Sequence, residues 1–330
     1  MNKDTLSVIN DIHKKHGEGS IFKMGDKVDT QIPCIPSGLP VLDEDIIGIG
    51  GIPKGRITEI YGAESGGKTS LLLAIIASAQ RLEKGKACAF IDAEHALDAS
   101  WASRIGVNMD DLFVSQPDSG EEAIDIAERL SKSGQFSVIG IDSVAALVPQ
   151  AELDGEISDA NIGLQARLMS KTCRKLRHCV HETGTALIFI NQLREKIGIT
   201  FTQGPTHTTS GGRALRFYAS LRLEVTRVGS FKEGEEIVGN TVKIKAVKNK
   251  LAPPFKEAEL QLRFDRGFDN RESQVDSLIK KGIFKKSGAW IYYEHKDLKF
   301  QGKKAAREYV EANLVELTGI LSQGEIHVGK

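Results

Sequence analysis

An α/β fold around a largely parallel sheet, followed by a small α+β domain, is predicted by three features of this 330-residue chain. Short β-branched runs alternate with helical stretches from Arg56 to about Val247, the rhythm of strands joined by crossover helices. The first of these runs, Ile57 to Tyr61, enters a glycine-rich turn and then an apolar helix, Ser70 to Arg81. Beyond Phe268 the pattern becomes mostly helical and rich in lysine, which marks the second domain.

Taken in order, Leu6, Ile9 and Ile12 recur at helical spacing within residues 4 to 16, and His16-Gly17 ends that short amphipathic helix. Such a helix needs a surface to cover, on its own core or on a neighbouring subunit. The strands that follow are Ile57 to Tyr61, Ala87 to Ile91, Val138 to Ile141, Ala186 to Ile190, Leu221 to Val228 and Val242 to Val247, the later ones open to antiparallel pairing. Two stretches, Glu152 to Gly163 and Glu195 to Gly212, read as irregular, and long irregular loops in a compact domain are usually functional or disordered. The domain boundaries this implies are 1–32, 33–268 and 269–330.

With 40% apolar and 27% charged residues the composition is that of an ordinary globular protein. Its longest apolar stretch, Leu71 to Ala79, is too short to span a bilayer, and the first residues lack a secretory pattern, so no membrane and a cytoplasmic location are expected. Cys34, Cys88, Cys173 and Cys179 form no C-x-x-C pair and read as reduced thiols without assigned chemistry. Forty-four basic residues balance forty-four acidic ones, so a nucleic-acid partner must be argued from local charge. Between Leu278 and Arg307 stand Lys280, Lys281, Lys285, Lys286, Lys296, Lys299, Lys303, Lys304 and Arg307 against Glu294 and Asp297. That cluster is either a phosphate-binding surface or a solvated lysine face.

Gly62-Ala63-Glu64-Ser65-Gly66-Gly67-Lys68-Thr69-Ser70 contains G-x-x-x-x-G-K-[ST] between a strand and a helix, the setting the motif requires. Its backbone N–H groups can turn around a polyphosphate, Lys68 can neutralise the outer phosphates of ATP, and the Thr69 hydroxyl can ligate Mg2+. Asp142, closing the apolar run from Val138, is the candidate second magnesium residue, although an aspartate there can also be a turn residue. Glu94, just past the strand Ala87 to Ile91, is the candidate general base, against the alternative of a carboxylate at a helix N-terminus. Asn191-Gln192 ends the strand Ala186 to Ile190, and Gln192 can touch the γ-phosphate without competing for the metal.

These motifs and several further segments resemble the bacterial RecA recombinase family, including its phage-encoded members, over nearly the whole chain. The segments include Ala89-Phe90-Ile91-Asp92-Ala93-Glu94-His95-Ala96-Leu97-Asp98, Asp142-Ser143-Val144-Ala145-Ala146-Leu147, Ile188-Phe189-Ile190-Asn191-Gln192, Phe217-Tyr218-Ala219-Ser220 and Val247-Lys248-Asn249-Lys250. The resemblance implies a RecA-like P-loop NTPase core with an N-terminal oligomerisation helix and a small C-terminal domain that binds duplex DNA. It implies a DNA-dependent ATPase that forms helical filaments on single-stranded DNA and pairs it with homologous double-stranded DNA, in recombination, repair and the SOS response. Glu94 then activates water, Gln192 couples the γ-phosphate to the loop after it, and Asp98 and Trp101 border the adenine. Lys248 and Lys250 reach from a neighbouring copy of the chain onto the phosphates. Segments 152–163 and 193–212 become the two DNA-binding loops. Arg167, Ser170, Arg174, Arg194, Ser210, Gly211, Gly212 and Arg213 hold the single strand's backbone, and Ile162 and Ile197 wedge between base triplets. A self-cleaving repressor and loading mediators are further partners that the resemblance raises.

The sequence departs from the family pattern in places. Trp101 stands for a usual tyrosine, and either ring can stack on a purine. Ala63 and Gly66 replace a common proline and serine, which loosens the phosphate loop without removing a ligand. Arg213 and Arg216 stand where asparagine and lysine are frequent, Asp265 where glycine is usual, and the acidic tail of many members is missing at Ile326 to Lys330. Taken from the residues alone, a hexameric helicase or ring-forming regulator, a small-molecule kinase and a non-enzymatic DNA-coating scaffold are the competing readings.

Overall fold

The computed structural model describes residues 3–23, 25, 32–156, 163–195, 207–269, 271–313 and 317. It separates into one unit of residues 1–32 and a second of residues 33–330. The first unit holds α1 (Lys3–His16), whose basic last turn, His13 to His16, complements the helix dipole. Among the described residues no helix is long and apolar enough to cross a membrane.

In the second unit β1 (Cys34–Ile35) pairs antiparallel with β2 (Ile52–Pro53) around a π-helical turn, Val41–Ile47. There follow β3 (Ile57–Gly62), α2 (Lys68–Leu82), β4 (Ala87–Asp92), α3 (Ala99–Ile105), β5 (Leu112–Ser115), α4 (Gly120–Ser133) and β6 (Phe136–Asp142). Next come α5 (Gln150–Leu153), α6 (Leu164–Thr183), β7 (Ala186–Glu195), β8 (His207–Thr209), α7 (Ala214–Tyr218), β9 (Leu221–Glu233), β10 (Glu236–Asn249), β11 (Glu257–Arg263) and β12 (Gly267–Asp269). The chain closes with α8 (Arg271–Lys280), β13 (Lys285–Ser287), β14 (Trp290–Tyr293), β15 (Leu298–Gln301) and α9 (Gly302–Ala312).

The main sheet has the order β12-β11-β10-β9-β3-β7-β6-β4-β5, with β8 added beside β7. From β9 to β5 neighbouring strands run parallel, while β10, β11 and β12 turn antiparallel at the other edge. Because side chains alternate along each strand, the sheet builds a core on each face. Ile60, Phe90, Val138, Ile188 and Ile190 join Leu71, Leu72, Ile75 and Ile76 of α2 in one. Ile57, Ile91, Ile139, Ile141, Leu187 and Phe189 meet Ala123 and Ala127 of α4 and Met169, Cys173 and Leu176 of α6 in the other. Strands buried on both faces read as continuous apolar runs, which is why the sequence shows them plainly. Phe189 is fully buried in the second core. Phe189→Ala is therefore expected to cost about 3–5 kcal/mol, measured as a lower midpoint of denaturant unfolding at unchanged slope.

Several elements differ from the sequence expectation. The stretch Glu195 to Gly212, expected to be irregular, contains β8, which pairs with the extended end of β7 through Leu193↔Thr209, Arg194↔Thr208 and Glu195↔His207. The other irregular stretch begins inside α5, and residues 157–162 lie outside the described ones. β5, β11 and β12 lie outside the strands that the sequence predicts. Beyond Phe268 the small α+β domain expected from the sequence is present: α8 and α9 accompany a three-stranded antiparallel sheet, β13-β14-β15, over a separate core that includes Leu278, Phe284, Tyr293 and Val310. Aromatic Phe284, Tyr293, Phe300 and Tyr309 stack in that core at centroid distances of 5.1–6.1 Å.

Candidate functional site

Parallel pairing fixes where the site lies. In register, Tyr61 and Gly62 of β3 stand opposite Asn191 and Gln192 of β7, and Asp92 of β4 stands opposite Asp142 of β6. The carboxyl ends of four adjacent strands therefore deliver the glycine loop, the Glu94 turn, Asp142 and Gln192 to one edge, the usual ligand crevice of such sheets.

Lys68, only 8% exposed, begins α2 and donates from Nζ to the Ala63 carbonyl oxygen at 2.6 Å. Burial lowers its pKa, opposed by the carboxylates of Asp142, Glu94 and Glu64. Thr69 Oγ1 donates to Asp142 Oδ2 at 2.5 Å. Burial raises the Asp142 carboxyl to about 6; the Thr69 hydroxyl opposes the shift, Glu94 adds to it and Lys68 opposes it. Two hard oxygen donors, one of them a buried carboxylate crowded by a second, fit a magnesium ion that would also bind phosphate oxygens. Among the described residues no group of three or more acidic, histidine or cysteine side chains is placed to hold a metal ion.

Glu94 is held from two sides. Its Oε1 accepts from Gln192 Nε2 at 2.8 Å and from the Ser143 hydroxyl. The turn that carries it is anchored by Asp92, 2% exposed, which accepts from Ala96 N at 3.2 Å, Leu97 N at 3.1 Å and Gln116 Nε2 at 3.0 Å. Asp98 caps α3 through Trp101 N at 3.0 Å. The Trp101 indole N–H donates to Ser70 Oγ at 3.0 Å, which turns the ring over the phosphate loop. Trp101, Leu262 and Phe264 wall a pocket of 280 Å³ whose floor is Ser65 through Ser70. Asp98 is not in that wall; its carboxylate positions the helix that carries Trp101.

The remaining nucleotide candidates lie elsewhere. Lys250 N donates to Ser220 O, and Ser220 N to Ile57 O, so Lys250 is level with the start of β3, about 16 Å along the strand from Gly62. Lys248 Nζ donates to the carbonyls of Arg216 and Phe217, and Lys250 Nζ reaches the latter at 3.3 Å. Burial, then Lys250 and Arg222, lowers the Lys248 ammonium to about 8. Both lysines thus face the opposite end of the sheet from their own phosphate loop.

A buried network joins the two ends. Glu59, with no exposed surface, accepts from Asn191 Nδ2 at 2.9 Å and pairs with Arg222 at 2.5 Å. Arg222 lies over the Tyr61 ring at 4.5 Å and is the strand partner of Lys248. Asn191 Nδ2 also donates to Ser210 O at 3.1 Å, and its Oδ1 accepts from Gln192 N at 2.9 Å.

Of the nucleic-acid candidates, Arg167 and Arg174 are exposed on α6 with Ser170 between them. Gly211 and Gly212 have φ of 75° and 76°, and a Cβ on either would come within 2.8–2.9 Å of Val144, Met169 or Ala166. Only glycine lets this segment lie against α6, with Gly211 N donating to Gln165 Oε1 at 3.2 Å, so Ser210 to Arg213 is brought beside Arg167 and Ser170. Arg194 is exposed near the end of β7, two residues after Gln192. Ile162 and Ile197 lie outside the described residues, as do residues 157–162 and 196–206 of the two loops. In the C-terminal lysine cluster, Lys280, Lys281, Lys285 and Lys303 face Asp45, Glu44, Glu294 and Asp276 at 2.6–3.7 Å. Part of its positive charge is therefore locally balanced, which the sequence did not reveal because two of those carboxylates come from residues 44–45. Sequence reasoning also missed Ser143, Asp92, Gln165, Glu59 and the pocket wall at Leu262; their roles come from contacts far apart in the chain.

A family model described as the RecA N-terminal domain matches residues 3–269. The chain is 49% identical over 311 residues to a protein RecA of Cutibacterium acnes, covering 94% of this chain and 88% of that one. It is 51% identical over 302 residues to a protein RecA of Acidothermus cellulolyticus, with 92% and 86% covered. To a protein RecA of Clostridium perfringens it is 50% identical over 319 residues, with 95% and 88% covered. A phosphate loop, a clamped glutamate and a glycine pair seated on a cationic helix thus occur in a chain matched along nearly its whole length, and the chain belongs to the RecA family.

Proposed function

We propose that this chain hydrolyses ATP with magnesium in a filament on single-stranded DNA, and that nucleotide state sets its grip on the strand during pairing with a homologous duplex. Its family places it in DNA recombination and repair. The observation that carries the finer reading is the bond from Gln192 Nε2 to Glu94 Oε1, because the same glutamine starts the hairpin β7–β8 that leads into the second candidate DNA loop.

The residues divide the work as follows. Residues 62 to 70 cradle the phosphates, with Lys68 exchanging the Ala63 carbonyl for phosphate oxygens. Thr69 and Asp142 would hold magnesium, which supplies charge neutralisation on those oxygens. Trp101 and Phe264 cover the base. Glu94 orients the attacking water and takes its proton, held by Ser143 while Gln192 leaves it for the γ-phosphate. That movement pulls on Arg194 and the loop, and through Asn191 on Ser210. Lys248 and Lys250 act on the nucleotide of the adjoining protomer. The first unit serves self-association, and residues 269–330 bind duplex DNA.

Phosphate release measured with and without single-stranded DNA, together with an unwinding assay on a fork, tests this. Strong stimulation without unwinding is expected; equal rates, or unwinding, would overturn it in favour of a scaffold or a helicase. Arg167→Ala and Arg213→Ala are each expected to flatten the salt dependence of single-strand affinity, by about 0.7 in log–log slope for every phosphate left without its cation. An unchanged slope in a binding titration would place those arginines away from DNA.

A further inference from the structure

At the amino-terminal end of β3, opposite the phosphate loop, lies a cavity of 330 Å³ lined by Arg56, Arg174, Arg177, His178, His181 and Tyr218, among others. Gly55 brings its floor together. Its φ is 68°, and a Cβ there would sit 3.4–3.6 Å from the backbone of Val180 and His181, so the strand start lies close against the last turns of α6. Gly55 N donates to Thr185 O at 3.1 Å and Ser220 N to Ile57 O at 2.9 Å, which fixes the surrounding backbone.

Three guanidinium groups that stay charged at any physiological pH converge on this cavity. Among the described residues Glu182 Oε1 lies 3.3 Å from His178 Nδ1, while Arg56, Arg174, Arg177 and His181 have no carboxylate oxygen within 4.0 Å. Arg174 commits only its Nε, to the Ser170 carbonyl at 3.3 Å. Uncompensated like charges at the mouth of a preformed cavity favour an anionic guest. Forked guanidinium donors suit phosphate oxygens in particular.

Helical register says which phosphate. Arg167, Ser170, Arg174, Arg177 or His178, and His181 follow one another at spacings of three or four, so they share one face of α6 over about 21 Å. The upper part of that stripe is the candidate DNA surface, and its lower part is the cavity wall.

We propose that the cavity is a phosphodiester site that continues the DNA path down α6, with Arg56 and Arg177 as the principal phosphate ligands. The proposal rests on the reading of α6 as a DNA-facing helix. It extends that face beyond Arg174 to residues on two different elements.

The test is carbethoxylation of histidines by diethyl pyrocarbonate, mapped by peptide mass spectrometry on the full chain. The chain is treated alone, with a single-stranded oligonucleotide, and with inorganic tripolyphosphate at the same phosphate concentration; fluorescence anisotropy of the labelled oligonucleotide runs in parallel. Expected are slower modification of His178 and His181 with oligonucleotide, a weaker effect of tripolyphosphate, and loss of protection in Arg56→Ala/Arg177→Ala. That variant should still bind DNA through Arg167 and Arg213, with a salt slope reduced by about 0.7 for each phosphate the two arginines no longer hold. Bound oligonucleotide with full histidine reactivity would overturn the cavity while leaving the DNA reading of α6 intact. Protection that persists in the double variant would assign the shielding to a neighbouring protomer and overturn it too. Protection by tripolyphosphate alone would make the guest a free oligophosphate, against the proposal. No binding by anisotropy would remove the DNA reading itself, and the proposal with it.

Discussion

Lys68→Ala is expected to lower ATP turnover by at least ~100-fold, the scale on which one preorganised donor at a developing charge contributes. Lys68 is 8% exposed and its charge sits among those of Asp142, Glu94 and Glu64, so no mobile surface lysine can replace it. Without it the phosphates meet two carboxylates at the carboxyl ends of β4 and β6 with no fixed cation between them. The side chain otherwise donates to a loop carbonyl that water can satisfy, so the variant should keep its fold. Phosphate release, with thermal unfolding as a control, measures the effect; normal hydrolysis by a folded variant would overturn the assignment of the loop.

Replacing Lys248 and Lys250 together by alanine is expected to reduce DNA-stimulated turnover by roughly three to five orders of magnitude, as removal of a cation supplied in trans does elsewhere. Nucleotide binding by the isolated protomer should hardly change, because both lysines stand at the other end of β3 from Gly62. Their hydrogen-bond partners are the carbonyls of Arg216 and Phe217, and neither lysine is in an ion pair among the described residues. A fluorescent ATP analogue titrated onto the variant, beside its hydrolysis rate, separates the two effects. Loss of protomer binding in proportion to turnover would contradict action in trans.

What could be read in the sequence follows from how information is carried along it. The strand segments leading to Gly62, Asp92, Asp142 and Asn191 are buried on both faces, so local apolar runs mark them, and the residues where those runs stop follow as candidates. β5 escaped because it is an edge strand with Phe113 at 60% and Val114 at 44% exposed, a mixed pattern that neither period describes. β8 escaped because its partner, the far end of β7, lies across a loop rich in Gly, Thr and Pro. The supporting residues were hidden for a related reason. Ser143 reaches Glu94 across 49 positions, and Asn191 reaches Glu59 across 132. Periodicity carries no trace of such pairs. Asp98 shows the converse: its place near Trp101 was legible, and its hydrogen bond from Trp101 N adds a helix-capping role that the sequence did not show.

Glu59 links the two ends of the sheet, and as a fully buried carboxylate it would cost stability unless it were paired. It is shared between Asn191, next to Gln192, and Arg222, the strand partner of Lys248. One chain of polar contacts thus runs from Gln192 through Asn191 and Glu59 to Arg222, the strand partner of Lys248.

Mixing Lys68→Ala chains with Lys248→Ala/Lys250→Ala chains in the presence of single-stranded DNA tests action of the lysines in trans most directly. Each alone should be nearly inactive. In an equimolar random filament, roughly a quarter of the head-to-tail seams join an intact phosphate loop to an intact lysine pair, so about that fraction of wild-type phosphate release should return. A mixture as inactive as its components would mean that the loop and the lysines serve the same protomer, and the nucleotide is not shared across the seam.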